Sequence, residues 1–301
     1  MTSEQRDQLT FDDPTTRHPD ITPPEQDQPK PGLDAELEPR SDRGETSYRG
    51  TGRLQGRKAL VTGGDSGIGG AVAIAFAREG ADVAINYLPD EEEDAARIAE
   101  LVEAAGRRCV RIPADVRDRE ACDLVVAEAV DGLGGLDVLV VNAGRQVAQE
   151  SIEDITDEQF DDTVRTNIYA MFWTCRAAVK HLPAGSSIIL TSSIQAYSPS
   201  ETLLDYAMTK AAMNNFGKGL AKQLAPKGVR VNIVAPGPIW TPLQVVDGQP
   251  KEDLPEFGKG QPLGRAGQPV ELAPAYVFLA SPESSYVVGE TLHVNGGVDS
   301  P

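Results

Sequence analysis

The chain has 301 residues, and its 28 Lys and Arg side chains against 46 Asp and Glu leave a formal net charge of −18. That balance excludes a protein whose work is gripping nucleic-acid phosphates, because such recognition needs a basic footprint. Hydrophobic residues make up 40% of the chain, enough for a core, yet no run approaches the roughly 18 consecutive apolar residues of a membrane-spanning helix. The opening MTSEQRDQLTFDD lacks the basic-then-apolar pattern of a secretory signal, so a cytoplasmic location is expected. Cys109, Cys122 and Cys175 are odd in number and form no CxxC pair; buried thiols are expected, and neither a disulfide framework nor a metal site.

Residues 1–50 contain seven prolines, twice as many acidic as basic side chains and few large apolar ones. Such a segment buries too little surface to offset its ordering entropy. An extended, mostly disordered tail is expected, touching the body through Tyr48 or Leu54 and dispensable for chemistry. Residues 51–301 form the folded domain in this reading. There, short apolar runs predict strands near 58–62, 82–87, 108–112, 137–141, 187–192, 229–234 and 289–294, and stretches of helical period predict helices near 67–79, 91–105, 118–132, 157–182, 203–225 and 270–280. Alternation of this kind means an α/β domain with a single doubly wound, parallel, seven-stranded sheet covered by helices on both faces. The one long irregular stretch, 236–269, holds seven prolines and has the length of a lid or binding segment.

The first strand runs into Thr62-Gly63-Gly64-Asp65-Ser66-Gly67-Ile68-Gly69 and then into a helical pattern. Glycines at that junction allow a tight turn and close approach of a pyrophosphate to the amide-rich start of a helix. The second strand ends in Asn86-Tyr87-Leu88, where an acid would accept from an adenosine ribose 2′-hydroxyl and repel a 2′-phosphate. Asn86 does neither, so NAD and NADP both stay open, with NADP slightly ahead, and the substitution Asn86→Asp is expected to shift preference toward NAD. Asp115-Val116 ends the third strand and Asn142-Ala143-Gly144 the fourth, on the carboxyl edge where such sheets bind ligands. Plain turn chemistry would use the same residue types.

Tyr206 and Lys210 are four residues apart in a helical stretch, which puts phenol and ammonium on one face. Thirteen residues before Tyr206, Ser193 follows an apolar strand ending at the same sheet edge, and Asn167 lies in the preceding long helix.

The order TGGDSGIG at 62–69, NAG at 142–144, Asn167, Ser193, Tyr206-x-x-x-Lys210 and Pro236-Gly237 resembles the short-chain dehydrogenase/reductase family over about residues 56–297. APGPIWTPL at 235–243, GQP at 267–269 and SSYVVGETLHVNGG near the C-terminus resemble its bacterial general-stress and glucose/ribitol dehydrogenase-like branch, which also carries a proline-rich tail. The resemblance implies a Rossmann-type fold and NAD(P)-dependent interconversion of an alcohol and a carbonyl. Tyr206 would be the general acid/base. Lys210 would lower its pKa and hold the nicotinamide ribose, Ser193 would bond the reacting oxygen and Asn167 would hold a relay water. Gly63, Asp65, Ser66, Gly67, Ile68, Gly69, Asn86, Asp115, Val116, Asn142, Ala143, Gly144, Tyr206, Lys210, Pro236, Gly237, Ile239 and Thr241 would bind the cofactor.

The family's usual second Asn before NAG is Val141 here, and local repacking is expected to absorb the change. A non-catalytic dinucleotide sensor would lack Tyr206 or Lys210, and enoyl reductases of this fold place six residues between the two. Gln146, Ile194, Gln195, Trp240 and Leu243 are candidate contacts to a small aldehyde, ketone, sugar or polyol, with Trp240 equally able to be a packing residue of the loop. The family resemblance also implies a homotetramer, for which Phe172, Trp173, Met213 and Phe216 offer apolar surface.

Overall fold

The computed structural model describes residues 6–18 and 21–298. Seven parallel strands make one sheet: β1 (Lys58–Thr62), β2 (Asp82–Tyr87), β3 (Cys109–Pro113), β4 (Val138–Val141), β5 (Ser187–Thr191), β6 (Arg230–Pro236) and β7 (Thr291–Val294). Their order is β3-β2-β1-β4-β5-β6-β7. Along β1 the pleat sends Ala59 and Val61 to one face and Leu60 to the other, so a continuous apolar run fills two cores at once. Helices α1 (Gly67–Arg78) and α2 (Glu92–Ala104) cover the first face together with α7 (Pro269–Ala280). Helices α3 (Arg119–Leu133), α5 (Ala170–Ala178) and α6 (Leu204–Leu224) cover the second.

Strand order reverses between β1 and β4, and a crevice opens beyond the carboxyl ends at such a point. Register decides what meets there: Thr62 pairs with Asn86 on one side and with Val141 on the other. The glycine-rich turn, the end of β2 and the Asn142 turn are therefore neighbours.

The single helix expected over 157–182 is interrupted. Helix α4 (Asp157–Val164) passes through a π turn, Arg165–Tyr169, before α5 begins. No Pro or Gly marks the break, and π turns of this kind occur where a site has to be shaped. Here the turn holds Asn167, whose side chain is tied to another segment as described below.

The described part of the tail has one short 3-10 turn, Asp34–Glu36, and otherwise consists of turns, bends and irregular chain without strands or longer helices. Its composition suggested little burial, but nearly every large apolar side chain between 21 and 54 is used: Ile21, Leu37, Tyr48 and Leu54 are buried. Ile21 and Leu37 join Trp240, Val245, Val246 and Leu254 in a cluster of their own, and Tyr48 and Leu54 join the core beneath α1. Helix α1 grips the tail at its C-terminal end, where Arg78 donates to the carbonyls of Gly44 and Glu45 and Glu79 accepts from the Tyr48 hydroxyl at 2.8 Å. The expectation for residues 1–5 and 19–20 lies outside the described residues.

Candidate active site

The turn after β1 is held from the side of β4. Thr62 Oγ1 accepts from the amides of Asn142 and Ala143 at 3.0 and 3.2 Å, and Asn142 Nδ2 donates to the Gly63 carbonyl at 3.0 Å. Val141 sits in the core, so losing the family's second Asn leaves this tie intact. Gly69 admits no side chain, because a Cβ would lie 1.8 Å from the Gly63 carbonyl oxygen. Gly67 opens α1 at φ +47°, a left-handed conformation suited to glycine.

This turn forms one wall of a cavity of about 710 Å³. Of the residues singled out from the sequence, Gly63, Asp65, Ser66, Gly67, Ile68, Asn86, Asp115, Val116, Asn142, Ala143, Gly144, Ser193, Tyr206, Lys210, Pro236, Gly237, Ile239 and Thr241 line it, as do Gln146, Ile194, Gln195 and Leu243. Gly69 and Asn167 stand behind the lining. Of the two readings left open for Trp240 the structure favours packing: its fully buried indole donates to the Pro39 carbonyl at 2.6 Å and packs among the apolar side chains of the tail and of the 236–269 segment, away from the cavity wall. The tail supplied the apolar partners that made packing the better use of so large a ring.

Opposite the glycine turn, α6 presents Tyr206 and Lys210, both buried. The Lys210 ammonium lies 5.4 Å from the Tyr206 ring centroid and donates to the Thr191 carbonyl at 2.8 Å. Ser193, in extended conformation just past β5, accepts from the Gln195 amide at 3.1 Å. Burial pushes the Tyr206 phenol up to about 12, with the Ser193 hydroxyl pulling the other way, and burial brings Lys210 down to about 8. The expected lowering of Tyr206 by Lys210 is not seen among the protein's own groups, where burial dominates. Loss of hydration disfavours phenolate and ammonium alike.

The Asn167 side chain is committed elsewhere. Its Oδ1 accepts from the Arg145 amide at 2.8 Å, and its Nδ2 donates to the Arg145 carbonyl at 2.9 Å and to Thr209 Oγ1 at 3.0 Å. It therefore ties the turn after β4 to α6, and both amide hydrogens are used.

Asn86 also has less freedom than its position suggested. Its Nδ2 donates to the carbonyls of Ile112 and Ala114 at 3.1 and 2.9 Å, joining β2 to the end of β3. Beside it, burial raises the Asp65 carboxyl well above its usual range, with Glu91 adding to the effect, and burial takes Glu91 to about 7. Lys30, Pro31, Gly32, Glu91, Arg117 and Arg145 line the same cavity and were not foreseen. Arg145, directly after NAG, was within reach of a motif argument; Lys30 in the tail carried no signal at all.

The three cysteines are free, with Cys109 half-buried and the others buried. Burial takes Cys122 up to about 11, which makes a thiolate role unfavourable. Among the described residues no group of three or more His, Cys, Asp or Glu side chains is placed to hold a metal ion.

A family model described as Enoyl-(Acyl carrier protein) reductase matches residues 63–299. The chain is 57% identical to the uncharacterized oxidoreductase YghA of Escherichia coli (strain K12), over 95% of this chain and 97% of that protein. It is 48% identical to General stress protein 39 of Bacillus subtilis (strain 168), over 93% and 97%, and 45% identical to Glucose and ribitol dehydrogenase of Daucus carota, over 91% and 96%. Among solved structures, a short-chain dehydrogenase from Burkholderia cenocepacia J2315 in complex with NADP is similar at a TM-score of 0.76 and 36% identity, covering 81% of this chain and 98% of that one.

Proposed function

The chain belongs to the short-chain dehydrogenase/reductase family and is an oxidoreductase, and on that premise we propose that it interconverts an alcohol and a carbonyl with Tyr206 as acid/base. One observation carries the reading: Ser193, Tyr206 and Lys210 line the wall of the same cavity as a glycine turn too tight for side chains. The backbone amides at the start of α1 suit a pyrophosphate, so the residues present fit a dinucleotide. A bound nicotinamide supplies the hydride. The chain's residues do the rest. Ser193 bonds the substrate oxygen, and Tyr206 gives that oxygen a proton in reduction or takes one in oxidation. Its high intrinsic pKa makes it a proton donor at neutral pH. Lys210, close against the phenol ring, favours the phenolate when the proton leaves, and Asn167 keeps the turn after β4 seated on α6.

NADP is favoured over NAD in this reading. Of the three acids that line the cavity around the end of β2, Asp65, Asp90 and Glu91, burial raises the carboxyls of Asp65 and Glu91 and so reduces the negative charge that a 2′-phosphate would meet. The Burkholderia structure with NADP is in keeping with this. For substrate, the amides of Gln146, Gln195, Gln244 and Gln249 line the cavity beside Ile194 and Leu243. Such a mixture suits a small aldehyde, ketone, sugar or polyol, and the name of the carrot relative supports the polyhydroxylated end of that range. The name of the Bacillus relative supports a role under stress. Initial rates with NADPH and NADH against a panel of aldehydes, ketones and polyols test the proposal, and a panel without turnover on any carbonyl or alcohol overturns it. The description of the matching family model favours a second reading, reduction of an enoyl thioester. The three residues between Tyr206 and Lys210 speak for the carbonyl reading, and a crotonyl thioester in the same panel decides.

We also propose a homotetramer. Tyr169 and Phe172 on the outer side of the α4–α5 segment are 43% and 41% exposed, the kind of apolar surface an interface covers. Met213 is a correction, for it is buried on the core side of α6 and leaves nothing for a partner. Light scattering at micromolar concentration reads the assembly directly. No helix among the described residues is long and apolar enough to cross a membrane.

A further inference from the structure

Helix α1 begins without a cap of its own: the Ser66 side chain accepts no bond from the first turn. The Gly67 amide donates instead to Asp34 Oδ2, at 2.7 Å, from a tail residue 33 positions earlier. Asp34 is buried there among further partners. Arg43 Nη1 reaches the same oxygen at 3.0 Å, Ser41 Oγ donates to Oδ1 at 3.1 Å, and the Asp34 amide donates to Asp94 at 2.7 Å. Arg43 is itself buried and donates through Nε to Glu45 at 2.8 Å.

The same stretch of tail lies along the lid. The Gln28 amide donates to the Val245 carbonyl at 3.0 Å, and Pro39 accepts from the Trp240 indole. Between these points Lys30, Pro31 and Gly32 form part of the cavity lining, with Lys30 paired to Asp247 at 2.8 Å.

We infer that residues 28–43 are a built part of the dinucleotide site, in which Asp34 positions the phosphate-binding turn and Arg43 neutralises Asp34 so that an anion can bind beside it. This reverses the expectation of a dispensable tail and rests on the functional reading above. A carboxylate at a helix N-terminus is favourable by itself, but it occupies the end of the helix that a pyrophosphate needs. Without a buried cation against it, the fixed negative charge would oppose the ligand in a poorly screened interior. With Arg43 in place the charge of Asp34 is offset toward the ligand, although Glu45 shares the guanidinium, while the Gly67 amide stays fixed.

The test is a charge cycle in the full-length protein, with NADPH as the probe and its Kd read by fluorescence titration. Arg43→Gln leaves Asp34 uncompensated and is expected to weaken NADPH binding tenfold or more. Asp34→Asn keeps an acceptor near Gly67, removes the charge, and is expected to weaken binding about threefold. The double variant is expected to return to the level of Asp34→Asn. At saturating NADPH, kcat falls by less than about threefold in each, so the effect sits in KM. Equal binding by the parent and Arg43→Gln overturns the inference, as does a double variant as weak as Arg43→Gln, which would mean a packing loss rather than a charge. If Arg43→Gln does not fold, Asp34→Asn alone decides, and its NADPH affinity matching the parent's overturns the positioning role. A parent that fails to bind NADPH overturns the functional reading as well, whereas a parent that binds with indifferent variants overturns this inference alone.

Discussion

Two buried polar clusters flank the glycine turn, and they are built on opposite rules. In the wall formed by β5 and α6, Tyr206 and Lys210 are buried, and no salt bridge among the described residues pairs Lys210 with a carboxylate. The neighbouring Asp205 accepts from the Tyr206 backbone amide, and burial raises the phenol and lowers the ammonium. In the strap of tail outside α1, the Arg43 guanidinium lies between Asp34 and Glu45, and these neighbours together raise it despite its burial. Compensated charges hold a structure in one arrangement, whereas burial without a paired counter-ion keeps the Tyr206 phenol protonated as a donor and makes the Lys210 ammonium easier to neutralise. The difference teaches where to look for the reaction: burial alone marks both regions, and only the missing counter-charge separates them.

The largest effect expected is on the uncompensated side. Tyr206→Phe should fold and bind dinucleotide while losing at least about a hundredfold in turnover, the low end for a positioned acid/base group. Near-normal turnover would break the contrast, because the proton would then come from elsewhere. Lys210→Met should lower both turnover and dinucleotide affinity; a change confined to melting temperature would move Lys210 into the structural class.

A smaller, pH-dependent effect should appear at the end of β2. Glu91 has a pKa raised to about 7 by burial, so it is neutral below that pH and anionic above it. Affinity for NADPH should therefore fall several-fold as pH rises through 7, while affinity for NADH changes less, and Glu91→Gln should flatten the NADPH profile. Parallel profiles for the two dinucleotides would place the 2′-phosphate away from Glu91.

The smallest effect concerns Asn86, where the structure changes what a substitution means. Aspartate there would lose two donated bonds and face the carbonyls of Ile112 and Ala114, at a cost of about 1–3 kcal/mol. Thermal melting should show a drop of several degrees, given roughly 2–4 °C per kcal/mol for a domain of this size. A clean switch of cofactor preference without loss of stability would show that the Asn86 amide is not needed to join β2 to β3.

Much of the fold was legible because its signals are local. Val138-Leu-Val-Val and Ser187-Ile-Ile-Leu-Thr declare strands buried on both faces by composition alone, and the four-residue step from Tyr206 to Lys210 places both on one side of a helix whatever that helix packs against. The glycine turn was legible for the same reason, since a Cβ at Gly69 is excluded by a carbonyl only six residues away. The π turn at Asn167, the packing of Trp240 and the commitment of the Asn86 amide were not, because each is decided by a partner from a distant segment. Asn167 answers to Arg145, Trp240 to Pro39 across 201 positions, and Asn86 to the end of β3. The tail is the extreme case. Its composition supplies few large apolar residues, and period and propensity describe a segment only by its neighbours in sequence. The pockets for Leu37 and Tyr48 and the amide that Asp34 caps exist only after α1 and the lid have folded, so their burial and charge pairing belong to the tertiary structure alone.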